Sequence, residues 1–195
     1  MKHALLVIDV QNDFCPEGLK DCKENSLATI IANLRNAVAT FRQKAWEVIF
    51  IQYFGDEKYQ KESLKYRNTI QKRKTKCLED TWGSDFFEIV PLEGEKVFPK
   101  HACFDAFLNP EFQDYLQKKE IQHLIFSGFY LDVCVDSTMR TAFQKGYYVS
   151  ALEDCTKTLF YPMQDCLQFM KRFYGASIVI SSNLEEQIRQ NFPNE

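Results

Sequence analysis

The chain has 195 residues, 45% hydrophobic and 26% charged, which is enough for one sizeable core. A formal net charge of −3 argues against nucleic acid or an anionic membrane as the main partner, and no apolar run reaches the roughly 20 residues needed to cross a bilayer. The seven cysteines, odd in number and without a CxxC pair, fit neither a disulfide framework nor a zinc ribbon, and His3, His101 and His123 lie outside metal-ligand spacing. The expectations are reduced thiols, no metal, no cofactor and a cytoplasmic protein, since the amino terminus meets Asp9 too early for a secretory signal.

The run from His3 to Ile8 reads as a central parallel strand buried on both faces, ending at Asp9. Carboxyl ends of such strands are where open α/β sheets bind ligands. Val10 to Gly18 is a loop with Pro16 and Gly18 as breakers, and Phe14 within it either lines a pocket or covers the core. Ser26 caps a helix with the apolar face Leu27, Ile30, Ile31, Leu34, Val38 and Phe41, and Trp46 to Phe54 is the next buried strand. Between residues 55 and 80 charge rises, with eight Lys and Arg against five acidic residues. A solvated helix and loop is the expectation there, ahead of a lid that attracts an anionic substrate.

Lys96 to Pro99 is a short extended piece with Lys100 directly after it. Asn109 and Pro110 start a helix. The strand from His123 to Phe126 leads through Ser127 and Gly128 to Cys134, where helical spacing begins with Val135, Met139, Ala142 and Phe143. Cys134 is therefore expected at the amino end of a helix, where unpaired N–H groups favour a thiolate. Tyr147 to Leu152 is a strand closed by Glu153 and Asp154, Pro162 opens a helix whose stripe includes Cys166, Ala176 to Ile180 is the last strand, and Asn183 caps a terminal helix. Strands alternating with helices, without repeat or linker, imply one domain over residues 1–195. Its class is α/β: a doubly wound sheet of about six parallel strands with helices on both faces. Neither GxGxxG nor GxxxxGK[ST] is present, so nucleotide binding has no motif behind it.

Asp9, Lys100 and Cys134 each follow a strand, and in a parallel sheet those ends share one edge. Spacing alone leaves open whether they meet. Together their chemistry is coherent, because a carboxylate can take a thiol's proton while an ammonium stabilises both anions.

At this point the chain resembles the isochorismatase-like cysteine hydrolases. The matching blocks are Leu6-Val7-Ile8-Asp9-Val10-Gln11-Asn12-Asp13-Phe14, Thr81-Trp82-Gly83-Ser84-Asp85 and Lys100-His101-Ala102-Cys103-Phe104-Asp105-Ala106-Phe107. The fourth runs from Ser127-Gly128 through Asp132-Val133-Cys134-Val135-Asp136-Ser137-Thr138 to Arg140, Ala142, Gly146 and Tyr147. The resemblance implies an Asp9–Lys100–Cys134 triad and a cis peptide at Phe129–Tyr130. It also implies an oxyanion hole made by the Tyr130 and Cys134 N–H groups, and cleavage of a C–N bond in a small amide, carbamoyl or ureido substrate through a thioester. Relatives are commonly homo-oligomers, which makes a second copy an expected partner. The metal-binding nicotinamidase branch carries Asp-x-His where this chain has Gln52-Tyr53-Phe54, so the amidase and ureidoacrylate-hydrolase-like branches are nearer.

Phe14, Trp82, Leu131 and Asp132 are the expected substrate contacts. Leu131-Asp132 stands where those branches often carry Thr-Asn, and Asp132 can either cap the helix or disfavour anionic substrates. Two other classes remain open: a silent binding or partner-recognition module on the same fold, and a thiol redox protein, which would lack a resolving cysteine near Cys134.

Overall fold

Residues His3–Ile8 form β1, buried along its whole length. Successive strand residues face opposite sides, so Ala4, Leu6 and Ile8 enter one apolar cluster while Leu5 and Val7 enter another. A strand apolar on both faces needs a covering layer on each side. In the computed structural model, which describes residues 1–15 and 26–191, β2 (Glu47–Phe54), β3 (Lys96–His101), β4 (His123–Phe129), β5 (Tyr148–Lys157) and β6 (Ser177–Val179) join β1. They form one six-stranded, all-parallel sheet of order β3-β2-β1-β4-β5-β6.

Helix α1 (Leu27–Gln43) starts where the Ser26 side chain accepts the Thr29 N–H, and its buried stripe from Leu27 to Phe41 packs on one sheet face. Each large aliphatic or aromatic side chain so buried contributes about 1.5–3 kcal/mol. Helix α2 (Glu62–Ile70) buries none of its residues. Helices α3 (Pro110–Lys118), α4 (Asp136–Gln144) and α5 (Met163–Tyr174) cover the opposite face through Phe112, Leu116, Met139, Ala142, Leu167 and Met170. Helix α6 (Leu184–Asn191) returns to the α1 side with Leu184 and Ile188. The doubly wound α/β expectation is met.

Three elements differ from their sequence reading, and the first is β3, which runs past Pro99 through Lys100 to His101 because Lys100 still pairs with Tyr53 of β2. Strand β4 continues past Phe126 to Phe129, and β5 runs beyond Glu153 and Asp154 to Lys157. The register between them shifts after Phe126, so that Gly128 and Phe129 pair with Thr156 and Lys157, and the acidic pair sits in the irregular stretch. Pro16, Gly18 and Cys22 lie outside the described residues. Among the described residues no helix is long and apolar enough to cross a membrane.

Candidate active site

The sheet order turns back at its middle: from β1 the chain builds outward through β2 and β3, then restarts on the other side of β1 with β4. Such a reversal opens a crevice beyond the carboxyl ends of the two central strands. Asp9 leaves β1 there with a positive φ of 53°, a conformation aspartate tolerates better than most residues, and its N–H is held by the Ile51 carbonyl. Across from it, β4 approaches β1 so closely that a Cβ on Gly128, itself at φ +99°, would stand 2.0 Å from the Ile8 oxygen. Only glycine fits that contact. The peptide bond Phe129–Tyr130 that follows is cis.

Lys100 lies in β3, with β2 between it and β1. Neighbouring strands are about 4.8 Å apart, so only a long side chain spans the gap. Its Nζ passes 5.5 Å from the centre of the Tyr53 ring and ends 2.7 Å from Asp9 Oδ2, donating also to the Phe104 carbonyl at 3.2 Å. The two side chains are 1% and 0% exposed. An ion pair this buried gains little over an apolar pair of the same volume, yet losing one partner costs about 3–5 kcal/mol. Stability alone is therefore a poor reason for it.

Cys134 sits inside a π-helical turn, Leu131–Val135, in which the Val135 N–H reaches back to the Tyr130 carbonyl at 3.2 Å. This corrects the sequence reading, because the helix is entered three residues before the cysteine and not at it. Thr138 ties the turn to the segment after β3, donating to the Cys134 carbonyl at 2.8 Å and accepting the Ala106 N–H at 3.1 Å.

Burial, and then the Asp9 charge, push the Cys134 thiol above its ordinary value, against the pull of Lys100. Burial thus works against the helix-end effect that favours a thiolate. Burial also raises the Asp9 carboxyl, with the Lys100 charge and hydrogen bond pulling it back. For Lys100 burial acts downward, but Asp9 and Cys134 outweigh it and raise the ammonium. Asp9 Oδ1 is buried and has no hydrogen-bond partner among the described residues, which leaves an acceptor beside the thiol. Burial raises Cys15, Cys77, Cys103, Cys155 and Cys166 as well, so only these neighbours set Cys134 apart.

The thiol opens into a cavity of about 600 Å³. Phe14, Tyr53, Phe104, Phe129 and Tyr130 supply aromatic walls, Leu159 and Phe160 one rim, and Arg67, Arg73, Lys74 and Lys76 another. The basic segment is the expected solvent-exposed helix and loop, and some of its side chains also line the cavity. Glu79 takes Lys58 at 2.5 Å, Asp56 accepts the Glu79 N–H, and the Gly55 N–H reaches the Cys77 carbonyl. A smaller hollow of about 350 Å³ behind Asp132, against Arg140 and Cys166, contains neither Asp9 nor the thiol.

Of the expected substrate contacts, Phe14 and Asp132 line the main cavity. Leu131 does not: its side chain is fully buried in the core on the α4 side, because the π turn points it at the sheet. Trp82 does not either, being 68% exposed. The block around it acts through its backbone. Ser84 O accepts from Gln11 and Gln52, Trp82 O from Asn12, and a Cβ on Gly83 would meet Asp13 Oδ2 at 2.4 Å. The Asp132 carboxylate does not cap the helix but accepts the N–H groups of Leu159, Phe160 and Tyr161 at 2.8, 2.7 and 3.1 Å. Sequence reasoning missed Tyr53 and Phe104, which carry no local signal beyond lying close to Asp-x-His and Lys100 positions. Among the described residues no cluster of three or more His, Cys, Asp or Glu is placed to hold a metal ion.

Residues 3–189 match the family model described as Isochorismatase domain. The ureidoacrylate amidohydrolase RutB of Pantoea ananatis is 32% identical over 171 residues, covering 78% of this chain and 68% of that protein. An isochorismatase-like hydrolase from Alkaliphilus metalliredigens superposes with a TM-score of 0.78 at 26% identity, over 95% of this chain and 98% of that one. The N-carbamoylsarcosine amidase of Thermoplasma acidophilum shares the fold, with a TM-score of 0.76 at 23% identity over 93% and 97% of the two chains.

Proposed function

Because this chain belongs to the isochorismatase family, we propose that it is a cysteine amidohydrolase that cleaves a C–N bond in a small amide, carbamoyl or ureido compound. The observation that carries this reading is the buried Lys100–Asp9 pair, 2.7 Å apart, with the unpartnered Asp9 Oδ1 beside a thiol that faces a substrate-sized cavity. The named activities of the relatives, a ureidoacrylate amidohydrolase and an N-carbamoylsarcosine amidase, support the bond type.

Asp9 takes the Cys134 proton as the sulfur attacks the carbonyl carbon, and the Lys100 ammonium steadies the charge on both. The oxyanion is held by the Tyr130 and Cys134 N–H groups; one such donor is worth about 3–4 kcal/mol of barrier. Asp9 returns the proton to the nitrogen as the C–N bond breaks, leaving a thioester and the free amine. Water then attacks the thioester carbonyl while Asp9 takes its proton. The C–S bond breaks, the acid leaves (a carbamic acid from a ureido compound), and the sulfur recovers the proton from Asp9. A binding module on the same fold has no use for a base placed against a buried nucleophile, and among the described residues the redox reading has no second thiol paired with Cys134.

The test is a panel of small amides and ureas assayed for amine release, with rapid quenching and intact-mass analysis. An acyl adduct mapped to Cys134, with release lost in Cys134→Ala by roughly 10⁴-fold or more, is expected. Amine release that survives in Cys134→Ala, or the absence of both adduct and release across the panel, overturns the reading.

A further inference from the structure

We infer that the cavity selects a substrate that carries a carboxylate remote from the scissile bond, and that Arg67 and Arg73 hold that carboxylate. The inference rests on the proposed function for its meaning, but it has its own observations. Several cationic side chains elsewhere on the described surface pair with acids: Lys2 with Glu120, Arg42 with Glu95, Lys44 with Glu185, Lys119 with Glu47. Among the described residues neither Arg67 nor Arg73, which line the cavity, has a carboxylate partner. The Arg67 guanidinium lies 5.4 Å from the centre of the Phe104 ring and, among the described residues, otherwise donates to Asn68 Oδ1, the amide of its chain neighbour. Arg73 lies 5.6 Å from the centre of the Phe160 ring.

Both rings line the same cavity as Cys134, and the Phe104 carbonyl is the second acceptor of Lys100. A ring contact restrains a guanidinium, and although Nε and Nη2 of Arg67 share Asn68 Oδ1, its Nη1–Nη2 end still has N–H groups to offer a planar carboxylate. Burial, and then the Arg73 charge, lowers the Arg67 pKa, so an anion near both would offset their repulsion.

Among the described residues Asp132 is the single acid in the cavity wall, and it does not oppose this. Its oxygens are taken by the N–H groups of Leu159, Phe160 and Tyr161, which compensate its charge and set Phe160 under Arg73. Lys76, the other tethered cation, is held by the Asp13 carbonyl at 2.8 Å. Since α2 buries none of its residues, nothing in the core requires Arg67 to be a cation.

The test compares kcat/KM for 3-ureidopropanoate with that for its neutral counterpart, (3-hydroxypropyl)urea. The wild type is expected to prefer the acid, and the double variant Arg67→Ala/Arg73→Ala to lower the acid-to-alcohol ratio roughly 10- to 100-fold through KM, with less loss in Arg67→Lys/Arg73→Lys. Lys65→Ala on the same helix, where Lys65 pairs with Glu62 away from the cavity, is expected to leave the ratio within about threefold. An unchanged ratio in the double variant, or an equal fall in Lys65→Ala, overturns the inference. Calorimetric binding of 3-ureidopropanoate to Cys134→Ala protein, with and without the arginine substitutions, reads the same subsite without turnover. Binding weakened at least about tenfold by their loss supports it even if neither compound is hydrolysed, an outcome that counts against the hydrolase reading alone; equal or absent binding overturns it.

Discussion

The two sides of the cavity are built in opposite ways. Its floor is carried by the sheet: Asp9, Lys100 and Cys134 stand on or just beyond β1, β3 and β4, are buried, and are tied to one another and to backbone carbonyls. Its roof is carried by α2 and by the turn around Leu159 and Phe160, both exposed and fastened by surface hydrogen bonds, ion pairs and guanidinium–ring contacts. Chemistry needs atoms held within tenths of an ångström, which close packing provides. Selection needs only that charge and shape face the ligand, and a peripheral segment can change either without touching the core. On the proposed function, the bond cleaved is a property of the floor and the compound chosen a property of the roof.

If that division is right, the floor breaks first. Lys100→Met leaves the Asp9 carboxylate buried without a counter-charge, and is expected to lower stability by about 3–5 kcal/mol in urea unfolding, along with loss of turnover. A change below about 1 kcal/mol would show that the pair is not the buried unit described here.

In the roof, Asp132→Ala removes the acceptor for the N–H groups of Leu159, Phe160 and Tyr161. The expected loss is about 1–3 kcal/mol, seen as faster proteolysis near residue 160 and a KM raised roughly tenfold while kcat changes less. Asp132→Asn, which keeps an acceptor oxygen, is expected to recover part of both. A kcat that falls as much as kcat/KM would place Asp132 with the chemistry and erase the distinction.

The smallest effect lies away from both, at the amino edge of the sheet, where His3 and His123 share a hydrogen bond of 2.9 Å and His123 bonds Ser150. Burial first, and then the amino terminus for His3 and the His3 charge for His123, lowers their values to about 4 and about 3. Between those values and the ordinary 6.5 the unfolded chain binds protons that the folded chain does not. Their contribution is complete above pH 6.5 and is lost as pH falls toward 4, at up to about 1.4 kcal/mol per pH unit for each titrating ring. Melting temperatures from pH 7 to 4 check this, with a flatter profile expected in the His3→Gln/His123→Gln double variant and an unchanged profile counting against it.

Much of the floor was legible in the chain. An apolar run that stops at an acid marks Asp9, and a strand signal passing into a helical period marks Cys134, because both patterns are local. Lys100 was readable only by resemblance to a family, since its reach across β2 is a fact of strand order. Residues 55–80 form the solvated helix and loop that their composition implies, but no periodicity tells which of their charges also face a cavity. Trp82 and Leu131 are expected substrate contacts on residue type and proximity, but a backbone stitch leaves the first in solvent and a π turn buries the second.

The sequence by itself determined the alternating elements, the two-faced burial of the central strands and hence the doubly wound sheet, because periods of two and 3.6 residues are written within a few positions of each other. Only the tertiary structure decided which side chains meet. The order β3-β2-β1-β4-β5-β6 brings Asp9 and the Cys134 turn to one crevice, lets a lysine two strands away reach Asp9, and sets part of a basic surface segment along its wall. Lys100 and Asp9 are 91 positions apart, and no local pattern encodes a separation of that length.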